Sequence, residues 1–381
     1  MAELNKIGVV GAGAMGRNIA LFFAQTDHQV QLFDVNQDAV TSARDAVRNS
    51  LARAVEKQRV SAAEADATIG RLHAAKDLSE LADCDVVIEA IVEKLEIKQS
   101  LFAQLESICG PETVLATNTS SLSVTDIFAK LDRKERALGL HFFNPAHIMK
   151  LVEVITAPPV SQIRCDDLVI HLNQIGKTAI KVKDSPGFIV NRCARPFYGE
   201  ALAILEEGMF SAHQVDAAMR QAGFRMGPFE LIDLVGADIN LAASETMAKA
   251  FNHHPRYYVF DRLKQQVAQG HLGRKSGTGF VTDEANAELS EADQQRIAQR
   301  ILATLVNEAA SAVDDQVAAP QDIDLAMQLG LNFPKGPFAF LAEIGLDRVR
   351  EILALLDANA PVNLEGRYQP AAALQRESID A

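Results

Sequence analysis

Apolar and polar residues change rhythm several times along the chain. Ile7-Gly8-Val9-Val10 is an uninterrupted apolar run, the signature of a strand buried on both faces. Arg17-Asn18-Ile19-Ala20-Leu21-Phe22-Phe23 then reads as a helix, and Gln29-Val30-Gln31-Leu32-Phe33 as a second strand. Residues 34–81, rich in Ala, Arg, Glu and Gln with scattered apolar positions, predict a long helix pair. Cys84–Ala90 predicts another strand, and a helix starts near Glu93. Thr113–Thr117, Ala137–Phe142 and Lys150–Ile155 predict three further strands. Strands alternating with helices imply a doubly wound α/β sheet, in which ligands bind beyond the carboxyl ends of the strands.

From Asn191 onward the chain is helical in character, and it repeats. Glu200-Ala-Leu-Ala-Ile-Leu-Glu-Glu is answered by Glu308-Ala-Ala-Ser-Ala-Val-Asp-Asp, and Val215-Asp-Ala-Ala-Met219 by Ile323-Asp-Leu-Ala-Met327. Gly227-Pro-Phe-Glu-Leu-Ile-Asp-Leu-Val-Gly-Ala-Asp238 is answered by Gly336-Pro-Phe-Ala-Phe-Leu-Ala-Glu-Ile-Gly-Leu-Asp347. The offset moves only from 108 to 109 residues, which implies an internal duplication of an all-α domain. The expected organisation is an α/β domain over 1–185 and two tandem all-α domains over 186–284 and 289–381. A polar linker, Gly277–Phe280 through Glu284–Glu288, joins the copies. They are not equivalent: Asn191-Arg192 follows a Pro-Gly-Phe motif, whereas Gln299-Arg300 does not. The first copy is therefore expected to close the active site and the second to be structural.

Composition narrows the function classes. Thirty-seven basic against fifty acidic residues give a formal charge of −13, which argues against broad nucleic-acid or anionic-membrane binding. No apolar run approaches the roughly 20 residues of a membrane span, and the N-terminus lacks a signal-peptide pattern. Cys84, Cys109, Cys165 and Cys193 lie far apart with no metal or disulfide spacing, so a reduced, cytoplasmic protein is expected. The histidines are dispersed, His253-His254 and His147 reading as loop residues, and no metal site is expected.

Two groups of residues carry chemistry. Gly11-Ala12-Gly13-Ala14-Met15-Gly16 sits between the first strand and the first helix, the context in which GxGxxG has mechanical meaning. Gly11 permits the tight turn, Gly13 lets a pyrophosphate approach the backbone, and Gly16 allows close packing of helix on strand. The helix N-terminus attracts the phosphates. Asp34 ends the second strand eighteen residues beyond Gly16, where a carboxylate binds ribose hydroxyls and repels the extra phosphate of NADP. The expectation is a Rossmann-type domain that binds NAD. The second group is Ser120, His141 and Asn144, all at or just beyond strand ends, with Glu153 among apolar residues of the next strand. A carboxylate that accepts a hydrogen bond from one imidazole nitrogen raises the basicity of the other. Such a histidine can take a hydroxyl proton while hydride leaves the same carbon. From spacing alone, a core histidine and a strand-edge glutamate fit equally well.

With these residues in register, the first 280 or so positions resemble the L-3-hydroxyacyl-CoA dehydrogenases. The motifs are Gly11–Gly16, Asn118-Thr-Ser-Ser121, Gly139-Leu-His-Phe-Phe-Asn-Pro145 with Lys150-Leu-Val-Glu-Val154, and Asp184-Ser-Pro-Gly-Phe-Ile-Val-Asn-Arg192. The resemblance implies His141 as catalytic base oriented by Glu153, with Ser120 and Asn191 hydrogen-bonding the reacting oxygen. It assigns Gly11, Gly13, Ala14, Met15, Gly16, Asp34, Glu93, Lys98, Ser120, Asn144 and Lys275 to NAD, and Ser50 with Lys57 to coenzyme A. The substrate class implied is a short-chain or dicarboxylic acyl-CoA. In single-copy relatives the helical domain forms the dimer, so the implied assembly is either a monomer with an internal pseudo-dimer or a homodimer.

Taken residue by residue, Ser120 could merely cap a helix, Asn191 could be an ordinary helix-start residue, and Glu93 and Lys98 could be solvated charges. Two other functions stay open: a sugar-acid dehydrogenase that does not use coenzyme A, and a non-catalytic NAD-binding scaffold. The chain departs from the family at Val281, where an aromatic is usual, and its polar tail from Arg367 onward is expected to wrap loosely or fray.

Overall fold

The computed structural model describes residues 4–282 and 287–376, which fall into two compact units divided between Asp184 and Ser185. Residues 283–286, inside the expected linker, and the last five positions of the tail lie outside the described residues.

The first unit runs β1 (Lys6–Val10), α1 (Ala14–Gln25), β2 (Gln29–Phe33), α2 (Gln37–Glu56), α3 (Ala62–Arg71), β3 (Leu72–Ala74) and β4 (Val86–Glu89). It continues with α4 (Leu95–Ile108), β5 (Val114–Thr117), α5 (Val124–Ile127), β6 (Ala137–Phe142), β7 (Leu151–Thr156), α6 (Gln162–Gln174) and β8 (Thr178–Lys183). One eight-stranded sheet results, in the order β3-β2-β1-β4-β5-β6-β7-β8. Strand order reverses between β1 and β4, and β1 and β4 are buried on both faces, as parallel strands covered by helices must be. Helix starts are written locally: Asn36 accepts from the Asp38 N–H ahead of α2, and Ser61 with Glu64 forms a capping box on α3.

Two sequence expectations need correction here. The region read as a helix pair over 34–81 also holds β3, which pairs in parallel with β2, and a 3-10 turn over Leu78–Leu81. Three residues are too few to give a strand periodicity. Strict alternation of strand and helix also fails, because β6 and β7 are joined by a short loop and run antiparallel, the one such pair in the sheet.

The second unit comprises α7 (Val190–Cys193), α8 (Arg195–Glu206), α9 (Ala212–Gln221), α10 (Pro228–Val235), α11 (Ala237–Ala250) and α12 (Asp261–Ala268). It then adds α13 (Glu291–Asp314), α14 (Pro320–Leu331), α15 (Pro337–Ile344) and α16 (Leu346–Ala358). The duplication is visible in identical devices. Asp216 accepts the N–H groups of Phe229 and Glu230 at the start of α10, and Asp324 those of Phe338 and Ala339 at the start of α15. Gly227-Pro228 and Gly336-Pro337 place proline in the first turn, where its missing N–H costs nothing.

The two copies are locked by a reciprocal exchange of charges. Arg192 of the first copy donates to Glu308 at 2.7 Å and to Asp315 at 2.6 Å in the second. Arg300 of the second donates to Glu200 at 2.7 Å and to Glu207 at 2.6 Å in the first. Tyr257 donates its hydroxyl to Glu308 and Tyr368 to Glu200. Each pair maps onto the other by the repeat, so residue i meets j and the copy of i meets the copy of j. That is the rule of an isologous two-fold interface, built here within one chain. The same relation overturns the expectation of a loose tail for its described part, residues 367–376. Arg367 and Tyr368 are buried on Glu200, as Tyr257 is on Glu308 with Arg256 at 3.6 Å, and Ala371 donates its N–H to Asn307.

Glu200 and Glu308 are fully buried, so removing either carboxylate strands buried arginine charge. Glu308→Ala and Glu200→Ala are each expected to lower unfolding free energy by about 3–5 kcal/mol, read by urea denaturation. A cost below about 1 kcal/mol in both would show that the exchange does not hold the copies together.

Candidate active site

The turn after β1 has the geometry a dinucleotide needs. Gly11 adopts φ +106°, and a Cβ there would meet the carbonyl oxygen of Ala90 at 2.5 Å. A Cβ on Gly16 would come within 1.8 Å of the Gly11 carbonyl, so glycine is what lets α1 approach the turn. Gly13 differs: a Cβ there meets nothing within 4 Å, and the position opens to the space at the N-terminus of α1. Ala14 and Met15 form the first turn of that helix. Asp34, just beyond β2, accepts the Ala12 N–H at 2.8 Å and the Asn36 N–H at 2.9 Å, fixing its carboxylate beside the turn. Glycine cradle, helix N-terminus and oriented carboxylate fit a dinucleotide with free ribose hydroxyls. Val35 and Val92, just past β2 and β4, are 93% and 59% exposed.

Between β4 and the loop after β5 lies a buried polar network. Glu89 ends β4 and accepts from the Lys98 ammonium at 2.6 Å, the Ile91 N–H at 2.7 Å and the Thr117 hydroxyl at 2.6 Å. Lys98, 1% exposed on α4, also reaches Glu93 at 3.0 Å. Glu93 in turn accepts from the hydroxyls of Thr119 and Ser121 and from the N–H groups of Ser120 and Ser121. Burial pushes the Glu93 carboxyl up, but Lys98 and the two hydroxyls outweigh it and hold it below the ordinary carboxylate range. Lys98 is therefore not a solvated helix charge; it is the cation that fixes Glu93, and Glu93 shapes the loop that carries Ser120. Asp184 fixes the far side of that loop by accepting from Ser123, Val124 and Thr125.

His141 and Glu153 face each other across the β6–β7 ladder, paired in register. The ring nitrogen Nδ1 lies 2.6 Å from the Glu153 carboxylate, with the histidine 6% exposed and the glutamate wholly buried. Since a carboxylate accepts, the contact places an N–H at Nδ1. Phe143 lies against the imidazole at 4.5 Å between ring centroids. Asn144 follows in the loop, where its side-chain carbonyl accepts from Asn18 of α1 at 3.2 Å. Asn118 accepts the Phe142 N–H at 2.9 Å and ties the end of β6 to the end of β5.

The first unit thus brings together the glycine turn, Asp34, Glu93, Lys98, Ser120, His141, Asn144 and Glu153 at the carboxyl ends of β1, β2, β4, β5 and β6. Ser50 and Lys57 are both exposed, seven residues apart on α2 and at its end, and so on one face. Asn191 lies on α7 and Lys275 pairs with Asp238, both in the second unit. Sequence reasoning missed Glu89 and Thr117, and gave Thr119 and Asp184 no role although both stand in the family motifs. Glu89 had a signal, a carboxylate closing the apolar run Val86-Val87-Ile88; Thr117 had none, since Thr is at home in strands.

A doubly wound sheet with this cradle and a histidine–carboxylate pair at its strand ends defines an NAD-dependent dehydrogenase. Family models extend that to the whole chain: the 3-hydroxyacyl-CoA dehydrogenase NAD-binding domain matches residues 6–185, and the C-terminal domain of the same family matches 187–283 and again 297–378. The chain belongs to the 3-hydroxyacyl-CoA dehydrogenase family and is an NAD-dependent enzyme of that activity. The 3-hydroxyadipyl-CoA dehydrogenase of Escherichia coli K12 is 33% identical, across 100% of this chain and 98% of its own length. The crystal structure of 3-hydroxybutyryl-CoA dehydrogenase from E. coli K12 superposes with a TM-score of 0.93 at 33% identity, covering 98% of both chains. A probable 3-hydroxybutyryl-CoA dehydrogenase of Bacillus subtilis is 37% identical over 73% of this chain and 97% of its own, as a single-copy protein would be. Of the fatty acid oxidation complex alpha subunits that it also resembles, the chain spans about half the length.

The second and third glycines of the cradle should respond differently. Gly13→Ala is expected to leave thermal stability unchanged while weakening NAD binding by about tenfold or more, since the methyl occupies only ligand space. Gly16→Ala drives a methyl into backbone and should lower both. Calorimetric binding beside a melting curve tests the pair, and equal behaviour of the two variants would contradict the cradle geometry.

Proposed function

We propose that the chain oxidises the 3-hydroxyl of short-chain or dicarboxylic L-3-hydroxyacyl-CoA esters to the 3-ketoacyl-CoA, reversibly, with His141 as the base. The observation that carries this reading is the 2.6 Å contact between His141 Nδ1 and the buried Glu153 carboxylate. The hydroxyl proton passes to Nε2 of His141, and Glu153 stabilises the imidazolium that forms. Bound at the cradle, NAD supplies the acceptor for the hydride that leaves the same carbon. Ser120 and Asn191 hydrogen-bond the reacting oxygen as it becomes a carbonyl. Gly11, Gly13, Ala14, Met15, Gly16, Asp34, Glu93, Asn144 and Lys275 hold the dinucleotide, while Lys98 acts through Glu93. Lys57, with the exposed Arg53 and Arg59 nearby in sequence, offers positive charge to the phosphates of coenzyme A, and Ser50 one polar contact. The substrate range rests on the similarity to relatives named for hydroxybutyryl and hydroxyadipyl esters. The reciprocal interface inside the second unit supports a working monomer whose two copies stand in for two protomers.

His141→Ala is expected to lower kcat by about 10²-fold or more with NAD affinity nearly intact, and Glu153→Gln to lower it in the same direction. Turnover retained in His141→Ala would remove His141 as the base. NADH formation from 3-hydroxybutyryl-CoA, 3-hydroxyadipyl-CoA and free 3-hydroxybutyrate tests the substrate class. Turnover of either ester and not of the free acid is the expected result; turnover of the free acid alone would favour a hydroxy-acid dehydrogenase.

A further inference from the structure

The loop between β6 and β7 carries Phe143 and Asn144, yet it has little internal structure. Its own backbone bonds run from the N–H groups of Ile148 and Met149 to the carbonyl of Pro145. What fixes it from behind is Lys177, which precedes β8 and is 7% exposed. The Lys177 ammonium donates to the carbonyl oxygens of Ala146 at 2.5 Å and Met149 at 2.7 Å, and lies 3.9 Å from the centroid of the Phe22 ring on α1. One cation therefore joins the loop, the helix that starts at the dinucleotide turn, and the strand next to β7. Among the described residues it has no carboxylate partner. The titratable group facing it is His147 of the same loop, which also feels Arg17 of α1; burial first, then these two charges, keep that imidazole below its usual pKa.

We infer that Lys177 is the positioning residue of the β6–β7 loop, and that by gripping Ala146 and Met149 it sets where Asn144 meets the dinucleotide. This rests on the reading of Asn144 as a cofactor contact. A buried ammonium held by carbonyl dipoles and a ring face gains charge-assisted hydrogen bonds and a cation–π contact, all of which weaken when it loses its proton. Burial lowers the Lys177 pKa to about 8, against about 10.4 in an unfolded chain. Between those values the unfolded chain binds the extra proton, so this group makes global stability rise with pH. The loop anchor weakens over the same window. A lysine that served stability alone would not separate the two trends.

The test is NADH binding to the full chain, followed by NADH fluorescence at about pH 7 and pH 9, in the wild type, Lys177→Met, Lys177→Arg and Asn144→Ala. Lys177→Met is expected to weaken NADH by about tenfold at pH 7 and to show no further loss at pH 9. The wild type should lose affinity between the two pH values, and Lys177→Arg, whose guanidinium keeps its proton, should retain it. Unchanged affinity in Lys177→Met overturns the inference, as does an alkaline loss shared by all variants. If Asn144→Ala weakens NADH while Lys177→Met does not, the cofactor reading stands and this inference falls. If Asn144→Ala changes nothing, both fall. Should Lys177→Met fail to fold, a wild type with equal affinity at both pH values overturns the inference on its own.

Discussion

A carboxylate with no solvent exposure must be paired, and the pairing of Glu153 sets the geometry of the catalytic half of the sheet. In an antiparallel ladder, directly opposed residues point to the same face with their Cβ atoms about 5 Å apart. His141 and Glu153 are such a pair, so their contact follows from the register of β6 on β7 and needs no loop to arrange it. A slip of β7 by one residue would send Glu153 to the other face and leave His141 behind. The short β6–β7 loop is the price of running the strands antiparallel, and it brings Phe143 and Asn144 to the end of the sheet where the glycine turn already lies. The reversal of direction is therefore what sets a histidine–carboxylate pair into an otherwise regular dinucleotide-binding sheet.

The second unit solves a different problem by a similar means. Short helices cannot bury their apolar faces alone. Here the partner surface is encoded 108 residues further on, and the interface keeps the form of a symmetric dimer, with Arg192 and Arg300 crossing in opposite directions. Phe197 and Phe224 of the first copy pack on Phe333, with Phe224 also stacked on Phe340, which adds an apolar centre to the charged exchange. Covalent linkage removes the translational cost of association. It also frees the second copy to lose what only the first needs. Asp233 of the first copy accepts the N–H groups of Phe280 and Val281 and so shapes the hairpin that carries Lys275, whereas the repeat puts Ala342 at the matching position.

Much of this was legible from sequence because it rests on local rules. The glycine turn, Asp34 and the strand pattern are periodicities and fixed spacings, and the duplication is an identity of residues. The failures share a cause. β3 is recognised only by its pairing with β2, and the direction of β7 only by its ladder with β6. Lys98 has the sequence appearance of a surface helix charge, yet two carboxylates from outside its helix draw it inside. The tail reads as polar and loose because Arg367 and Tyr368 find their partner, Glu200, 167 residues earlier in the chain. Contacts of that separation leave no mark in a local window.

Buried charge makes the pattern general. Lys98 lies on Glu89 and Glu93, Arg192 on Glu308 and Arg300 on Glu200: each cation is met by carboxylates from outside its own helix. Such pairs add little net stability over apolar packing, but a wrong arrangement strands a charge, so they select one arrangement of elements. Lys177 breaks the rule, being buried against carbonyls and a ring with no acid beside it among the described residues. Burial disfavours its protonated form, so its contribution to stability rises with pH while its grip on the carbonyls weakens. Its position behind the loop of Asn144 places that grip next to α1, where Asn144 meets Asn18.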